Sequence, residues 1–169
     1  MEIKGQFPKH RFVFLTLPNY SMIALSSAVE ALRMANRVTK QDVYEWSLAS
    51  LDGNPVAASN GLTLSPTIPV DKMGPANIVF VCGGVNVEQA VTSELLSALR
   101  RLAQRHVSLG SLCTGGYALA KAGLLDKYKA VIHWENMSAL QEEFPRVIFS
   151  DQLFAIDRDR FTCSGGIAP

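Results

Sequence analysis

The sequence is poor in cysteine and in long apolar runs, and both shortages exclude whole classes of protein. Its three cysteines, Cys82, Cys113 and Cys163, are an odd number without metal-site spacing. This usage suits a reducing cytoplasm, and we expect no metal and no cofactor. No apolar run reaches the roughly 18 residues of a membrane span, and the N-terminus lacks the apolar core of a signal peptide. The sequence therefore predicts a cytoplasmic protein without a membrane partner.

An excess of charge of one sign is also missing. The 16 basic residues nearly balance the 15 acidic ones, which leaves a net charge of +1. A surface that binds nucleic acid is basic because it neutralises phosphates. Nothing in this chain is therefore built to hold DNA directly.

The chain is long enough to form one domain, because 169 residues suffice for a full core.

Short apolar runs alternate with helical patterns along the chain. The predicted strands are Arg11–Leu17, Tyr44–Leu51, Pro55–Ser59, Ile78–Cys82, Val107–Leu112, Ala130–Ile132, Val147–Ser150, Leu153–Ile156 and Phe161–Cys163. The predicted helices are Ser21–Arg37, Ser93–Arg105, Tyr117–Gly123 and Asn136–Phe144. Thr63–Val70, with its two prolines, is interpreted as an extended edge or a loop. The alternation predicts an α/β fold with a doubly wound, mostly parallel sheet and helices on both faces.

The segment V-S-L-G-S-L-C-T-G-G, Val107–Gly116, predicts a strand, a sharp turn and a helix with Cys113 at the apex. A nucleophile on such a turn needs small residues two positions away on each side, here Ser111 and Gly115. The N-terminal end of the following helix favours the thiolate. The alternative is a buried structural cysteine.

His133 and the pair Gly83-Gly84 extend this hypothesis to half of an acyl-transfer site. An imidazole near a thiolate can remove and return its proton, and glycine N–H groups after a neighbouring strand can face a developing oxyanion. Sites in parallel sheets gather at the carboxyl ends of the strands, where Cys113 and Gly83-Gly84 are predicted to lie. The alternative for His133 is a structural histidine with its own hydrogen bonds.

The C-terminal segment Thr162–Pro169 predicts a strand followed by a glycine turn of the kind that opens a helix. No helical pattern follows within the sequence. We therefore expect the chain to be a fragment whose C-terminal part has been removed.

Five blocks together resemble a known family: A-V-E-A-L-R-M-A-N, V-F-V-C-G-G, G-S-L-C-T-G-G-Y-A-L-A-K-A-G-L-L-D, I-H-W-E and D-R-D-R-F-T-C-S-G-G. They resemble the ThiJ/PfpI branch of the class I glutamine amidotransferase-like superfamily. More narrowly, they resemble the N-terminal domain of AraC-family transcriptional regulators. The resemblance implies a flavodoxin-like sensor domain over residues 1–169 that binds a small-molecule effector and dimerises. It also implies a helix-turn-helix domain beyond the chain end, through which alone DNA is bound.

In the ThiJ/PfpI enzymes an acidic residue in the first helix region supports the cysteine. The register anchored on Ala28–Asn36 puts Ala24 at that position, and Glu30 lies almost two turns further on. The resemblance therefore implies that Cys113 is a vestigial nucleophile and His133 a vestigial base. The sequence His133-x-Glu135 is similar to the amidotransferase His/Glu pair, although the alternative is that Glu135 opens the next helix.

The residues predicted to bind the ligand are Cys113, Thr114, Gly83, Gly84, His133, Trp134 and Tyr20. Some regulators of this family sense quaternary amines or amino acids. Trp134, Tyr20 and Trp46 could form an aromatic wall for a trimethylammonium group, or they could be ordinary core residues. Two functions follow, an effector-sensing domain of a regulator or a cysteine-dependent hydrolase, hydratase or glyoxalase-like enzyme.

Overall fold

The computed structural model describes residues 8–133 and 137–166, and nine strands account for its sheets. The strands are β1 (His10–Thr16), β2 (Tyr44–Ser50), β3 (Thr67–Pro69), β4 (Ile78–Cys82), β5 (Ser108–Leu112), β6 (Lys129–Ala130), β7 (Ile148–Phe149), β8 (Phe154–Asp157) and β9 (Arg160–Cys163). The helices are α1 (Met22–Thr39), α2 (Val87–Ala90), α3 (Ser93–Gln104), α4 (Gly116–Lys121) and α5 (Met137–Glu143). Short 3₁₀ turns cover Val70–Lys72 and Cys113–Gly115.

Seven of these strands form one sheet in the order β3-β2-β1-β4-β5-β9-β8. All neighbouring pairs are parallel except β8 with β9, which form an antiparallel hairpin. β6 and β7 pair separately in a two-stranded sheet. The predicted α/β class and the mostly parallel, doubly wound sheet are confirmed.

The two faces of the sheet pack against different helices because side chains alternate along each strand. Val13 and Leu15 of β1 point into a core shared with α3, α4 and α5. Phe14, between them, points to the opposite face, where Ala24 and Leu25 of α1 pack. The N-terminus of α1 is capped by Ser21, whose hydroxyl accepts from the Ala24 N–H at 3.4 Å. Helices therefore lie on both faces.

Some local predictions differ from the structure, and one helix was not predicted at all. Pro55–Ser59 is not a strand: Ala57 and Ala58 form only single bridges, and the N–H of Ser59 donates to the carbonyl of Tyr20, in the loop after β1, at 3.0 Å. The predicted strand Ala130–Ile132 is β6, one residue earlier and two residues long. Helix α2 was not predicted, since four residues are too few to show a helical period. Thr63–Val70 does contain an edge strand, β3.

Among residues 8–133 and 137–166, no helix is both long and apolar enough to cross a bilayer.

The packing of α3 on the sheet generates a stability prediction. Leu99 is fully buried in the core, whereas Leu96, on the same helix, is only partly buried. Leu99→Ala leaves a cavity and is expected to lower the free energy of unfolding by about 3 kcal/mol, and Leu96→Ala by clearly less. Urea unfolding followed by circular dichroism measures both. Equal losses would show that α3 does not pack in this orientation.

Candidate functional site

Cys113 lies on a sharp turn between β5 and α4. Its φ of 58° is left-handed, an uncommon conformation for a residue with a side chain. Gly115, two residues later, has no room for a Cβ atom, which would meet the Val81 carbonyl oxygen of β4. Ser111, the other flank, is completely buried. The predicted strand, turn and helix with small flanks are therefore present.

The loop after β4 packs directly under this turn. A Cβ atom on Gly83 would meet the backbone N of Gly115. The Thr114 hydroxyl donates to the Gly84 carbonyl at 2.7 Å. The Gly83 N–H donates to the Leu112 carbonyl at 3.2 Å, so it is already used and does not face a substrate. In this arrangement Gly83 supports the elbow, while Gly84 reaches the surface of the adjoining cleft.

Tyr20 fixes the position of the same loop from the end of β1. Its backbone bridges to Gly84 on one side and to Ala58 on the other. The side chain is almost fully buried in the α1-side core, and it does not line the cleft. Burial, together with the nearby Cys82, raises the pKa of the Tyr20 phenol. Through its backbone bridges and its buried side chain, Tyr20 fixes the loop that carries Gly84 without lining the cleft.

A cleft of about 530 Å³ opens above Cys113. It is lined by Ser21, Ser59, Gly84, Val85, Asn86, Val87, Glu88, Gln89, Cys113, Thr114 and His133. The structure thus brings together four of the predicted residues, Cys113, Thr114, Gly84 and His133. Trp134 and Glu135 lie outside the described residues. Trp46 is half-buried against the α1-side core and is not part of the cleft.

The other two cysteines lie behind Cys113. Burial raises the pKa of the Cys82 thiol, and the neighbouring Cys163 and Cys113 add to this effect. Burial also raises the pKa of Cys163, although backbone hydrogen bonds from Gly165 and Cys113 oppose the increase. Both are therefore protonated at neutral pH. Cys113 is the cysteine that lines the cleft.

The carboxylates are arranged differently from those of an enzyme with an acid on the first helix. Ala24, at the expected acid position, is buried in the same apolar cluster as Cys113. Glu30 pairs with Arg33 on the exposed side of α1, with the Arg33 Nε donating to Oε1 at 2.8 Å, and this bond lowers its pKa. Among the described residues of the cleft, Glu88 supplies the one carboxylate. In the described part of the chain, no group of three or more acidic, histidine or cysteine side chains could hold a metal ion.

Several cleft residues were not singled out from the sequence. Ser59, Asn86, Glu88 and Gln89 come from two irregular segments, the loop before Asn60-Gly61 and the short helix α2. Asn86 has a left-handed φ of 54°, which turns the chain directly after Gly83-Gly84. The position of V-N-V-E-Q after a predicted strand end is the one signal that could have identified α2 as part of the site.

Comparison with known proteins gives a consistent result. The DJ-1/PfpI family model matches residues 10–167. The HTH-type transcriptional regulator GbdR of Pseudomonas aeruginosa is 49% identical over 156 residues, which are 92% of this chain and 42% of GbdR. A solved AraC family transcriptional regulator from Pseudomonas putida has a TM-score of 0.83 and 30% identity, covering 92% of this chain and 84% of that chain. The chain therefore spans less than half the length of GbdR.

An enzyme is also among the relatives. Isonitrile hydratase of Pseudomonas putida is 30% identical over 122 residues, which are 72% of this chain and 51% of the enzyme. The same fold is therefore found in both regulators and enzymes. Which function this chain has depends on the residues around Cys113.

The close packing at the elbow predicts different effects for two adjacent glycines. Gly165 and Gly166 both have left-handed φ values, of 85° and 75°. A Cβ atom on Gly165 would lie 2.8 Å from the Cys113 Cβ, whereas one on Gly166 would contact none of the residues that the structure describes. Gly165→Ala is expected to cost about 1–3 kcal/mol more than Gly166→Ala in the free energy of unfolding, because only the former is overpacked. Urea unfolding of both variants measures the difference, and equal losses would contradict the packing described.

Proposed function

The chain belongs to the DJ-1/PfpI family, and we propose that it is the effector-binding domain of an AraC-type transcriptional regulator. Its similarity to GbdR and to the Pseudomonas putida regulator supports this assignment. The net charge of +1 agrees with a division of labour in which another domain binds the DNA. In this proposal the domain works in the cytoplasm and forms a homodimer, which places two DNA-binding units on one operator.

The observation that carries the proposal is the apolar surrounding of the elbow cysteine. A nucleophilic thiol is activated by a neighbouring group that takes its proton or lowers its pKa. His133 lines the same cleft as Cys113. The register implied by the resemblance puts Ala24, and not an acid, at the position on α1 from which the ThiJ/PfpI enzymes support their cysteine, and Ala24 belongs to the apolar cluster around Cys113. The pocket of an ancestral enzyme has therefore been kept for binding, with Cys113 and His133 as part of its wall.

The polar character of the cleft supports a small cationic effector, of the amino acid or quaternary amine class. Glu88 attracts a positive charge, and Ser21, Ser59 and Asn86 offer hydrogen bonds to a polar remainder. None of the described residues that line the cleft is a phenylalanine, tyrosine or tryptophan. The described part of the site therefore recognises the cation through the charge of Glu88, and an aromatic contribution depends on Trp134.

The proposed mechanism is a shift between two arrangements of the regulator. An effector changes this equilibrium only by its difference in affinity for the two states. In this proposal the difference comes from the contact between the bound cation and Glu88 of α2, which one arrangement makes and the other does not. The effector then biases the DNA-binding halves without being consumed.

The role of Glu88 can be tested by calorimetric titration of the domain with betaine, carnitine and arginine. Glu88→Gln keeps the shape but removes the charge, and we expect binding of the cationic effector to weaken about tenfold, equivalent to about 1.4 kcal/mol. Glu142→Gln, an exposed residue of α5 outside the cleft, is the matched control and should bind as the wild type does. Absence of heat with all three compounds, or equal affinity of Glu88→Gln and wild type, would contradict the cationic effector.

The second candidate is a cysteine-dependent hydrolase, hydratase or glyoxalase-like enzyme. Its specific support is the similarity to isonitrile hydratase and the presence of Cys113 and His133 in one cleft. Reading the gene beyond Pro169 separates the two functions. A helix-turn-helix domain there supports the regulator, and a stop codon soon after Pro169 supports the enzyme.

A further inference from the structure

The short strand β6 leads directly to His133, and backbone hydrogen bonds hold one edge of this segment. On that edge the carbonyl of Tyr128 accepts from the N–H of Ile148, and the carbonyl of Ala130 accepts from the N–H of Ser150, both at 3.0 Å. These two bonds join the segment to β7 and the residue that follows it. They end three residues before His133, which lines the effector cleft.

Side chains of the β8–β9 hairpin hold the opposite edge. The N–H of Lys129 donates to the Asp157 carboxylate at 2.8 Å, and the N–H of Val131 donates to the Thr162 hydroxyl at 2.8 Å. The first bond is exposed, whereas the second is buried, with Thr162 only 2% and Val131 only 1% exposed. Because a buried N–H that loses its acceptor is costly, Thr162 is the stronger of the two attachments.

We propose that Thr162 is a positioning residue of the effector cleft. Its hydroxyl fixes the backbone two residues before His133 and so sets the place of the imidazole in the cleft. Thr162 does not itself line the cleft, and it acts through the N–H of Val131. Only the link to an effector rests on the proposed function.

Packing of the neighbouring Ile132 leaves this role to the hydrogen bond. Ile132 is buried in the core beside the first residue of α4, where a Cβ atom on Gly116 would lie 3.5 Å from the Ile132 Cδ1. Apolar contact is not directional, so it keeps the segment at the core without fixing its register. A hydrogen bond depends on distance and angle, and the bond to Thr162 therefore fixes the register.

The end of β9 supports both walls of the cleft. Thr162 holds the segment that leads to His133, and the next residue, Cys163, accepts a hydrogen bond from the backbone N–H of Cys113. Thr162 is also the register partner of Ser111, the small residue before the elbow. Consecutive residues of one strand thus fix Cys113 and His133 relative to each other.

The test compares three variants of the protein. Thr162→Val keeps the shape of the side chain but removes the acceptor, and Thr162→Ser keeps the hydroxyl. Thr16→Val is the matched control, because Thr16 is 5% exposed and its hydroxyl donates to the Ala49 carbonyl at 3.1 Å, outside the cleft.

NMR of isotope-labelled histidine reports the position of His133 without effector or DNA. The chain has three histidines, and the His133 ring signal is the one that disappears in His133→Gln. We expect this signal to move in Thr162→Val and to return in Thr162→Ser, while the signals of the exposed His10 and His106 stay in place. Movement no greater in Thr162→Val than in Thr16→Val would overturn the proposal. So would equal movement in Thr162→Val and Thr162→Ser, because the methyl group rather than the hydroxyl would then be responsible.

Amide exchange in the wild-type protein needs no variant to fold. The Val131 amide should exchange at least about tenfold more slowly than the Lys129 amide, because only the bond of Val131 is buried. Similar exchange rates for the two amides would overturn the proposal.

Calorimetric titration with betaine, carnitine and arginine tests the link to the effector. A compound that binds the wild type should bind Thr162→Val about fivefold more weakly and Thr16→Val equally well. Equal affinity of Thr162→Val and the wild type would overturn the positioning role. Absence of binding by all three compounds to the wild type would instead contradict the cationic effector, and the NMR comparison would still decide whether Thr162 places His133.

Discussion

The structure depends on the absence of side chains where three loops meet. Gly83 after β4, Gly115 after β5 and Gly165 after β9 approach so closely that a Cβ atom on any of them would collide with backbone or with Cys113. Three neighbouring parallel strands end at this point, and their glycines allow the loops to interlock. The left-handed Cys113 is held by this contact rather than by its own conformational preference.

The same constraint explains how the elbow can keep its shape with different residues on α1. The loops that hold Cys113 are packed by backbone atoms, and they do not require a particular acid on α1. With Ala24 rather than an acid at this position of α1, the elbow and the cleft are still formed. The surroundings of the Cys113 thiol are apolar on the α1 side. On the other side Glu88, Ser21 and Ser59 make the cleft polar. The elbow thus lies between the polar cleft and the apolar core on the α1 side of the sheet.

Much of the fold could be predicted because its central strands are continuous apolar runs. Ile78–Cys82 has the predicted bounds, and Cys113 follows its strand as expected. The prediction of a strand over Pro55–Ser59 was wrong. This segment is held by a hydrogen bond to Tyr20 in the loop after β1, a long-range contact that no local pattern reveals. Glu88 was not predicted as a site residue because α2, with four residues, is too short to show a helical period. The roles of Cys113, Thr114, Gly83, Gly84, His133, Trp134 and Tyr20 in ligand binding stay predictions, with Tyr20 and Gly83 placed beneath the cleft.

The central claim is that this cleft receives a small molecule without transforming it. It is tested most directly by incubating the full-length protein with a compound that binds, while following the compound by proton NMR and operator affinity by fluorescence anisotropy. Operator affinity should change while the amount of compound stays constant, for wild type and for Cys113→Ser alike. Consumption of the compound by the wild type but not by Cys113→Ser would contradict it.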